Sequence, residues 1–322
     1  MNNQDGILRQ LRRMYIAPRM LVRALAWGMP KCSLIFGPLS LGDDLLCTAV
    51  LHEARERGQP FAMFTQRPEL FLNNPDPFSI HPIDDHYLKL LRKLGHQVCS
   101  PYYVTADPSD QNRDVLPDRH VIAEMCRIAG LKGEISIRPY LHLTPTELNT
   151  APRLPRQIAI QTSGLSAALP YQTKEWGPKR FETLAKLLSS GFSLVQLGSP
   201  NDPALPSVAL DLRGQTTLRE AAAIQASSLV FVGLEGFLTH LARAVDCPSV
   251  VIHGGRAAPH IFGYSANINL HSQPSCSPCG LRNSCPHDMS CMSAISPEEV
   301  AKAVTKLADR PPGPLPVETA HL

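Results

Sequence analysis

The feature that most constrains this chain is residues 231–255, FVGLEGFLTHLARAVDCPSVVIHGG. It reads as strand, tight turn, helix and strand. Residues 229–232 are apolar and partly β-branched, and Gly233 and Gly236 bracket Glu235, so the backbone can turn sharply. Leu238, Leu241, Ala242 and Val245 then recur at helical spacing; Pro248 stops the helix, and residues 249–253 read as the next buried strand. This is a βαβ unit with its helix N-terminus near the carboxyl end of the first strand. In an open α/β sheet ligands bind there, and bare N–H groups at a helix start favour an anion such as a diphosphate.

A chain of 322 residues is long enough for two domains of ordinary size. It is 43% hydrophobic and 18% charged, which places it among globular proteins rather than disordered ones. A net charge of +3 is too small to argue for nucleic acid as a partner. No apolar run reaches the roughly 18 residues of a spanning helix. The basic start lacks a clean apolar core with a small-residue cleavage site, so a cytoplasmic protein is expected. Residues 1–31 carry Arg9, Arg12, Arg13, Arg19, Arg23 and Lys31 against one acid, Asp5, interleaved with Leu11, Met14, Tyr15, Leu21, Leu25 and Trp27. Such a basic amphipathic segment either lies on an anionic membrane surface, here the inner face, or packs its apolar side on the protein.

Alternating strand and helix signals run through both halves, separated by LTPTELNTAPRLPR at 143–156. The expected division is a basic segment 1–31, a first domain 32–150, a second domain 151–310 and a disordered tail 311–322. In the first domain, a strand at 32–36 leads through GPLSLGDD into a helix ending near Arg57. One acid at the helix start serves as a cap or first-turn charge. The second of Asp43 and Asp44 is free to accept a proton from an attacking hydroxyl. The loop is not a P-loop, and the chain has no G-x-G-x-x-G. Residues 106–117 read as loop, and a helix at 118–129 reads as capped by Asp118. In the second domain, Thr162, Ser163 and Gly164 follow the strand at 157–161, and Lys174 follows them before a helix begun by Pro178. Hydroxyls and a nearby Lys suit phosphate oxygens, although a solvated loop with a surface Lys is the plainer alternative. Gly198 and Ser199 end the next strand. Glu235 beside a diphosphate would repel it, so it must address hydroxyls, a cation or helix N–H groups. His240 lies on the same helix face as Gly236.

Cys276, Cys279, Cys285 and Cys291 cluster in SCSPCGLRNSCPHDMSC. Three readings are open: a closed structural Zn or Fe site, with His287 able to replace one ligand; four free thiols; or two disulfides. Ser296 and Glu299 then mark the start of a capped helix.

Five stretches in order resemble glycosyltransferase family nine, the ADP-heptose:lipopolysaccharide heptosyltransferases and their relatives, including the autotransporter heptosyltransferase branch. They are SLGDD, TKEW, VGLEGFLTHLARAV, HGGRAAPHIFGY, and the cysteine segment followed by SPEEV. The resemblance spans about residues 32–308. It implies a GT-B architecture within the α/β class: two Rossmann-like, doubly wound domains facing across a cleft. It implies an inverting transfer, with no metal required for catalysis, from a nucleotide sugar, ADP-linked by analogy, to a glycan, lipid-linked or protein hydroxyl. By position, Asp43 matches the family's general base and Lys174 its phosphate contact; Gly236, Phe237, Leu238, Thr239 and His240 match the donor-binding turn. Glu235-Gly236-Phe237 departs from the family's usual Asp-Ser-Gly or Asp-Thr-Gly, so the sugar or base is open. A sugar-nucleotide epimerase of the same fold and a non-catalytic scaffold are the alternatives.

Overall fold

Two parallel sheets organise the chain, and each reverses its strand order once. The computed structural model describes residues 32–36, 40–311 and 313–322; the basic segment 1–31 and residues 37–39 of the first loop lie outside them. The first half contains β1 (Cys32–Ile35), α1 (Leu41–Glu56), β2 (Phe61–Phe64), β3 (Ser79–His81), α2 (Asp85–Lys93) and β4 (Gln97–Cys99). A hairpin follows, β5 (Thr105–Asp107) and β6 (Asp110–Val115), then α3 (Val121–Ile128), β7 (Glu134–Ser136) and α4 (Pro145–Thr150). The first sheet runs β3-β2-β1-β4, all parallel. The chain builds outward from β1 to β3, then returns to the other side of β1.

The second half contains β8 (Gln157–Ile160), α5 (Pro178–Leu188), β9 (Ser193–Gln196), β10 (Leu210–Asp211), α6 (Leu218–Ala226), β11 (Val230–Leu234), α7 (Phe237–Ala244) and β12 (Ser249–His253). After it come α8 (Pro259–Phe262), β13 (Ile268–His271), α9 (Ser290–Ser293), α10 (Pro297–Ala308) and β14 (Thr319–His321). The second sheet runs β10-β9-β8-β11-β12-β13, again all parallel, and reverses between β8 and β11. This is the α/β, GT-B-type arrangement of two Rossmann-like sheets. Strands β8, β11 and β12 are buried along their whole length, as their near-continuous apolar runs require when helices cover both faces.

α1 is buried almost all round, from Asp44 to Val50 without a break. Its LLCTAVL run leaves no polar face for water, so the helix must be enclosed. It packs on the first sheet and also shares one core with Leu238, Leu241 and Ala242 of α7. Ser40 caps it by accepting the Asp43 N–H at 3.4 Å. A Cβ added at Gly42 would sit 3.8 Å from His240 Cδ2 and 3.9 Å from the Phe237 Cα. The first turns of α1 and α7 therefore abut, and the two sheets' carboxyl rims meet there.

Four local expectations change. Residues 106–117 hold the β5–β6 hairpin rather than plain loop. Its polar strands are stabilised from outside: Asp114 N–H donates to Gly280 O at 2.9 Å, and Arg282 N–H donates to Asn112 O at 2.7 Å. Within 143–156, Thr144 and Glu147 form a reciprocal capping box that starts α4. α3 is capped by His120, whose Nδ1 accepts the Ile122 N–H, and not by Asp118. The tail is not disordered. β14 pairs antiparallel with β7, and the Ile137 N–H donates to Glu318 O at 2.8 Å. Its Pro-rich composition hid a strand that needs only the otherwise open edge of β7 and a buried anchor, Leu315.

Candidate active site

The first sheet reverses at β1 and β4, and each strand delivers one side chain to that gap. Asp43 follows β1 in the first turn of α1, and Tyr103 follows β4. The Tyr103 hydroxyl donates to Asp43 Oδ1. Burial lifts the Asp43 carboxyl above its ordinary range; hydrogen bonds from Ser40 and Tyr103 and the charge of Lys174 oppose this, while Glu235 adds to it. Burial and the adjacent Asp43 push the Tyr103 phenol far up, so the proton stays on the tyrosine. Asp44, one residue on, turns the opposite way and is 1% exposed. Its Oδ2 accepts from Thr65 Oγ1 at 3.1 Å and Arg67 Nη1 at 2.9 Å. The helical step of about 100° separates the two acids: one faces the cleft, the other staples α1 to the end of β2.

The second sheet reverses at β8 and β11. Lys174 ends a 3₁₀ turn (Gln172–Lys174) in the connection leaving β8, and Glu235 directly follows β11. Lys174 Nζ lies 2.9 Å from Glu235 Oε1 and 2.7 Å from Oε2. Burial alone would raise the Glu235 carboxyl, but Lys174 and then Arg256 outweigh it and hold it at about 2. Burial lowers the Lys174 ammonium, and Glu235 opposes that shift. Glu235 is therefore ionised at neutral pH. Gly236, the N-cap of α7, offers no side chain to the first-turn N–H groups. A Cβ added there would meet nothing within 4 Å, so space lies open in front of them. His240 Nδ1 is 2.7 Å from the Tyr264 hydroxyl, and burial depresses it to about 4, leaving it neutral.

Several candidate positions are used internally. The Thr162 hydroxyl donates to Pro203 O at 2.9 Å, and Thr239 Oγ1 donates to Leu234 O at 2.9 Å. Ser163 Oγ accepts the Leu165 N–H at 3.1 Å, and the Ser199 N–H donates to Asp202 Oδ2 at 2.9 Å. Gly198, at φ +140°, lets the backbone pass against Asp202. Leu238 and Phe237 pack into the shared core. Trp176 of the TKEW stretch is fully buried; its Nε1–H donates to Ile295 O at 2.9 Å. These residues hold the loops around Lys174, Glu235 and the turn at Gly236, the polar groups at this rim.

Cys276, Cys279, Cys285 and Cys291 are all free thiols. Among the described residues no three His, Cys, Asp or Glu side chains converge to hold a metal ion, so the expected Zn or Fe site is not shown, although the other three thiols all lie within electrostatic reach of Cys279. Cys291 sits on α9, against Gly255, while the Cys279 N–H is tied to Gly255 O at 2.9 Å. The intervening loop docks on the β5–β6 hairpin through Arg282, Asn283 and Ser284, and Cys285 is half-buried. Two contributors had no signal in the sequence pattern, Tyr103 and Asp114; a third, Arg256, lies in the HGGRAAPHIFGY stretch but was not itself singled out. The side chains of Asp114 and Arg256 pair across the two halves.

No helix among the described residues is long and apolar enough to cross a membrane. The two parallel sheets, meeting at their carboxyl rims, define an architecture of the GT-B glycosyltransferase type. Residues 148–288 match the model of glycosyltransferase family 9 (heptosyltransferase). The architecture is similar to that of a family 9 glycosyltransferase from Veillonella parvula: TM-score 0.61, 14% identity, covering 87% of this chain and 97% of the other. It is also similar to ADP-heptose LPS heptosyltransferase II of E. coli: TM-score 0.62, 16% identity, 85% of this chain and 98% of the other. A third similar structure is TibC of enterotoxigenic E. coli, an iron-containing dodecameric glycosyltransferase: TM-score 0.65, 17% identity, 87% of this chain and 76% of the other. TibC has also been solved with ADP-D-beta-D-heptose. No curated protein matches the chain.

Proposed function

We propose that this protein is an inverting glycosyltransferase that moves a heptose or related sugar from an ADP-linked donor to an acceptor hydroxyl. The observation that carries the reading is the meeting of the two reversal points: Asp43 of the first half lies within electrostatic reach of Lys174 and Glu235 of the second. The ADP-heptose named for similar enzymes supports the donor class. The acceptor oxygen attacks the anomeric carbon from the first domain's side, and Asp43 takes its proton. As the new C–O bond forms, the bond from the anomeric carbon to the phosphate oxygen breaks, and its electron pair leaves on the diphosphate. Lys174 and the bare N–H groups of α7 stabilise that charge. Glu235 holds Lys174 in place before donor arrives and is positioned to accept a sugar or ribose hydroxyl. The raised affinity of Asp43 for a proton suits a base better than an ordinary surface carboxylate would.

The test is mass analysis of products from ADP-heptose with and without a hydroxyl acceptor: a glycan, a lipid-linked sugar and a protein chain. Acceptor-dependent release of ADP, abolished in Asp43→Asn, is the expected result. Conversion of donor without acceptor would instead make the chain an epimerase. Absence of donor binding would make it a scaffold.

A further inference from the structure

We propose that Arg256 is a second ligand for the donor's diphosphate, acting beside Lys174 through its Nε–H. The inference rests on the donor site argued above and names a residue of that site. Arg256 lies in the loop after β12, the strand next to β11, so it reaches the same carboxyl rim as Glu235. It is 3% exposed. Its Nη2 donates to Asp114 of the β5–β6 hairpin, and its guanidinium stacks 4.5 Å from the Tyr171 ring centroid. The Lys174 ammonium is 5.1 Å from that same ring. Glu235, Lys174 and Tyr103 all sense the Arg256 charge.

The Arg256 Nε–H is buried and has no hydrogen-bond partner among the described residues. A buried charged donor without an acceptor is costly and calls for an explanation. Two cations share one aromatic residue at the rim where α7 presents bare N–H groups, so an incoming dianionic group would relieve their repulsion and fill the empty valence. A purely structural role, clasping the two halves, accounts for the Asp114 bond alone. Arg282, with a side chain 29% exposed, already makes that clasp through two bonds to Asp114 Oδ1. Neither the burial of Arg256 nor its orphaned Nε is needed for it.

The experiment is calorimetric titration of the full chain with ADP, UDP, GDP and CDP, then with the monophosphate and nucleoside of whichever base binds. Arg256→Gln is expected to weaken the diphosphate roughly ten- to hundredfold, the range of a charge-assisted hydrogen bond, with the nucleoside changed less than twofold. Arg256→Lys, which keeps the charge but loses the fork, should fall between and serves if the Gln variant does not fold. Arg282→Ala removes the other cation on Asp114, weakening the clasp while keeping Arg256, and should leave the diphosphate-to-nucleoside ratio unchanged. Unchanged diphosphate affinity in Arg256→Gln overturns the proposal. So does an equal loss of diphosphate and nucleoside, or the same pattern in Arg282→Ala. If the wild-type chain binds no nucleoside diphosphate, the donor reading fails and Arg256 fails with it.

Discussion

The two reversal points carry the same kind of group at the same topological position and treat it in opposite ways. Asp43 sits beyond β1 facing a phenol, and Glu235 sits beyond β11 facing an ammonium. Burial acts in the same sense on both, favouring the protonated acid. At Asp43 burial wins, and the carboxyl lies above its usual range. At Glu235 the contact with Lys174 and the field of Arg256 win, and it lies at about 2. One acid is thus poised to exchange a proton and the other is a fixed charge. Neither half of the chain holds both, so the site proposed above needs the contact between α1 and α7.

The contrast can be broken most sharply at Asp43. Asp43→Asn should cut turnover by ~10²-fold or more and leave donor affinity nearly intact, as measured by steady-state rates and calorimetry. Asp44→Asn, one residue on, should do the reverse. It leaves the partly exposed Arg67 facing a buried amide and should cost about 3 kcal/mol of stability in a denaturant titration, with turnover largely kept. If the two variants exchange these effects, Asp44 is the base. At the other reversal point, Lys174→Met should weaken nucleoside diphosphate binding roughly thirtyfold. It also strands Glu235, so the double variant Lys174→Met with Glu235→Gln should melt higher than Lys174→Met alone.

A smaller effect sharpens the comparison through pH. Asp43 must be ionised to accept a proton, so kcat/KM should fall on the acid side of its pKa, and that limb should lie above the ordinary carboxylate range. The Tyr103 hydroxyl stabilises the ionised form, so Tyr103→Phe should move the limb to higher pH and slow turnover a few-fold below it. An unmoved limb would show that Tyr103 does not tune the base. The smallest effect is expected from removing residues 318–322. That exposes the β7 edge and should lower the melting temperature by about 2–4 °C for a loss of ~1 kcal/mol, without altering the pH profile.

Much of this was legible from local pattern. The run at 229–253 specified strand, turn and helix, because buried parallel strands need apolar residues on both faces and a turn needs glycine. Asp43, Lys174, Glu235 and Gly236 were legible because strand ends followed by helix starts are where such sheets expose polar groups. What was not legible depends on partners distant in sequence. Tyr103 reads as one more residue after a short strand until β4 is placed beside β1. Asp114 and Arg256 are 142 residues apart; Asp114 has no local signal, and the HGGRAAPHIFGY stretch that holds Arg256 does not reveal its partner. The cysteine spacing suggested metal ligands; Cys291 and the 277–279 segment both lie against Gly255, yet among the described residues no three such ligands converge to hold a metal ion.

By itself the sequence determined two α/β halves and put an acid or a lysine at particular strand ends, because hydrophobic period, turn residues and caps act over a few residues. Only the tertiary structure decided which acid faces a cation, because electrostatic environment depends on distance and burial rather than on neighbours in the chain. It also decided that Asp44 points inward, that the tail closes the β7 edge, and that Arg256 is left with an unused N–H. Each of these follows from packing α1 against α7 and the hairpin against the 280–284 loop, contacts whose free energy is set by surfaces the chain brings together only when folded.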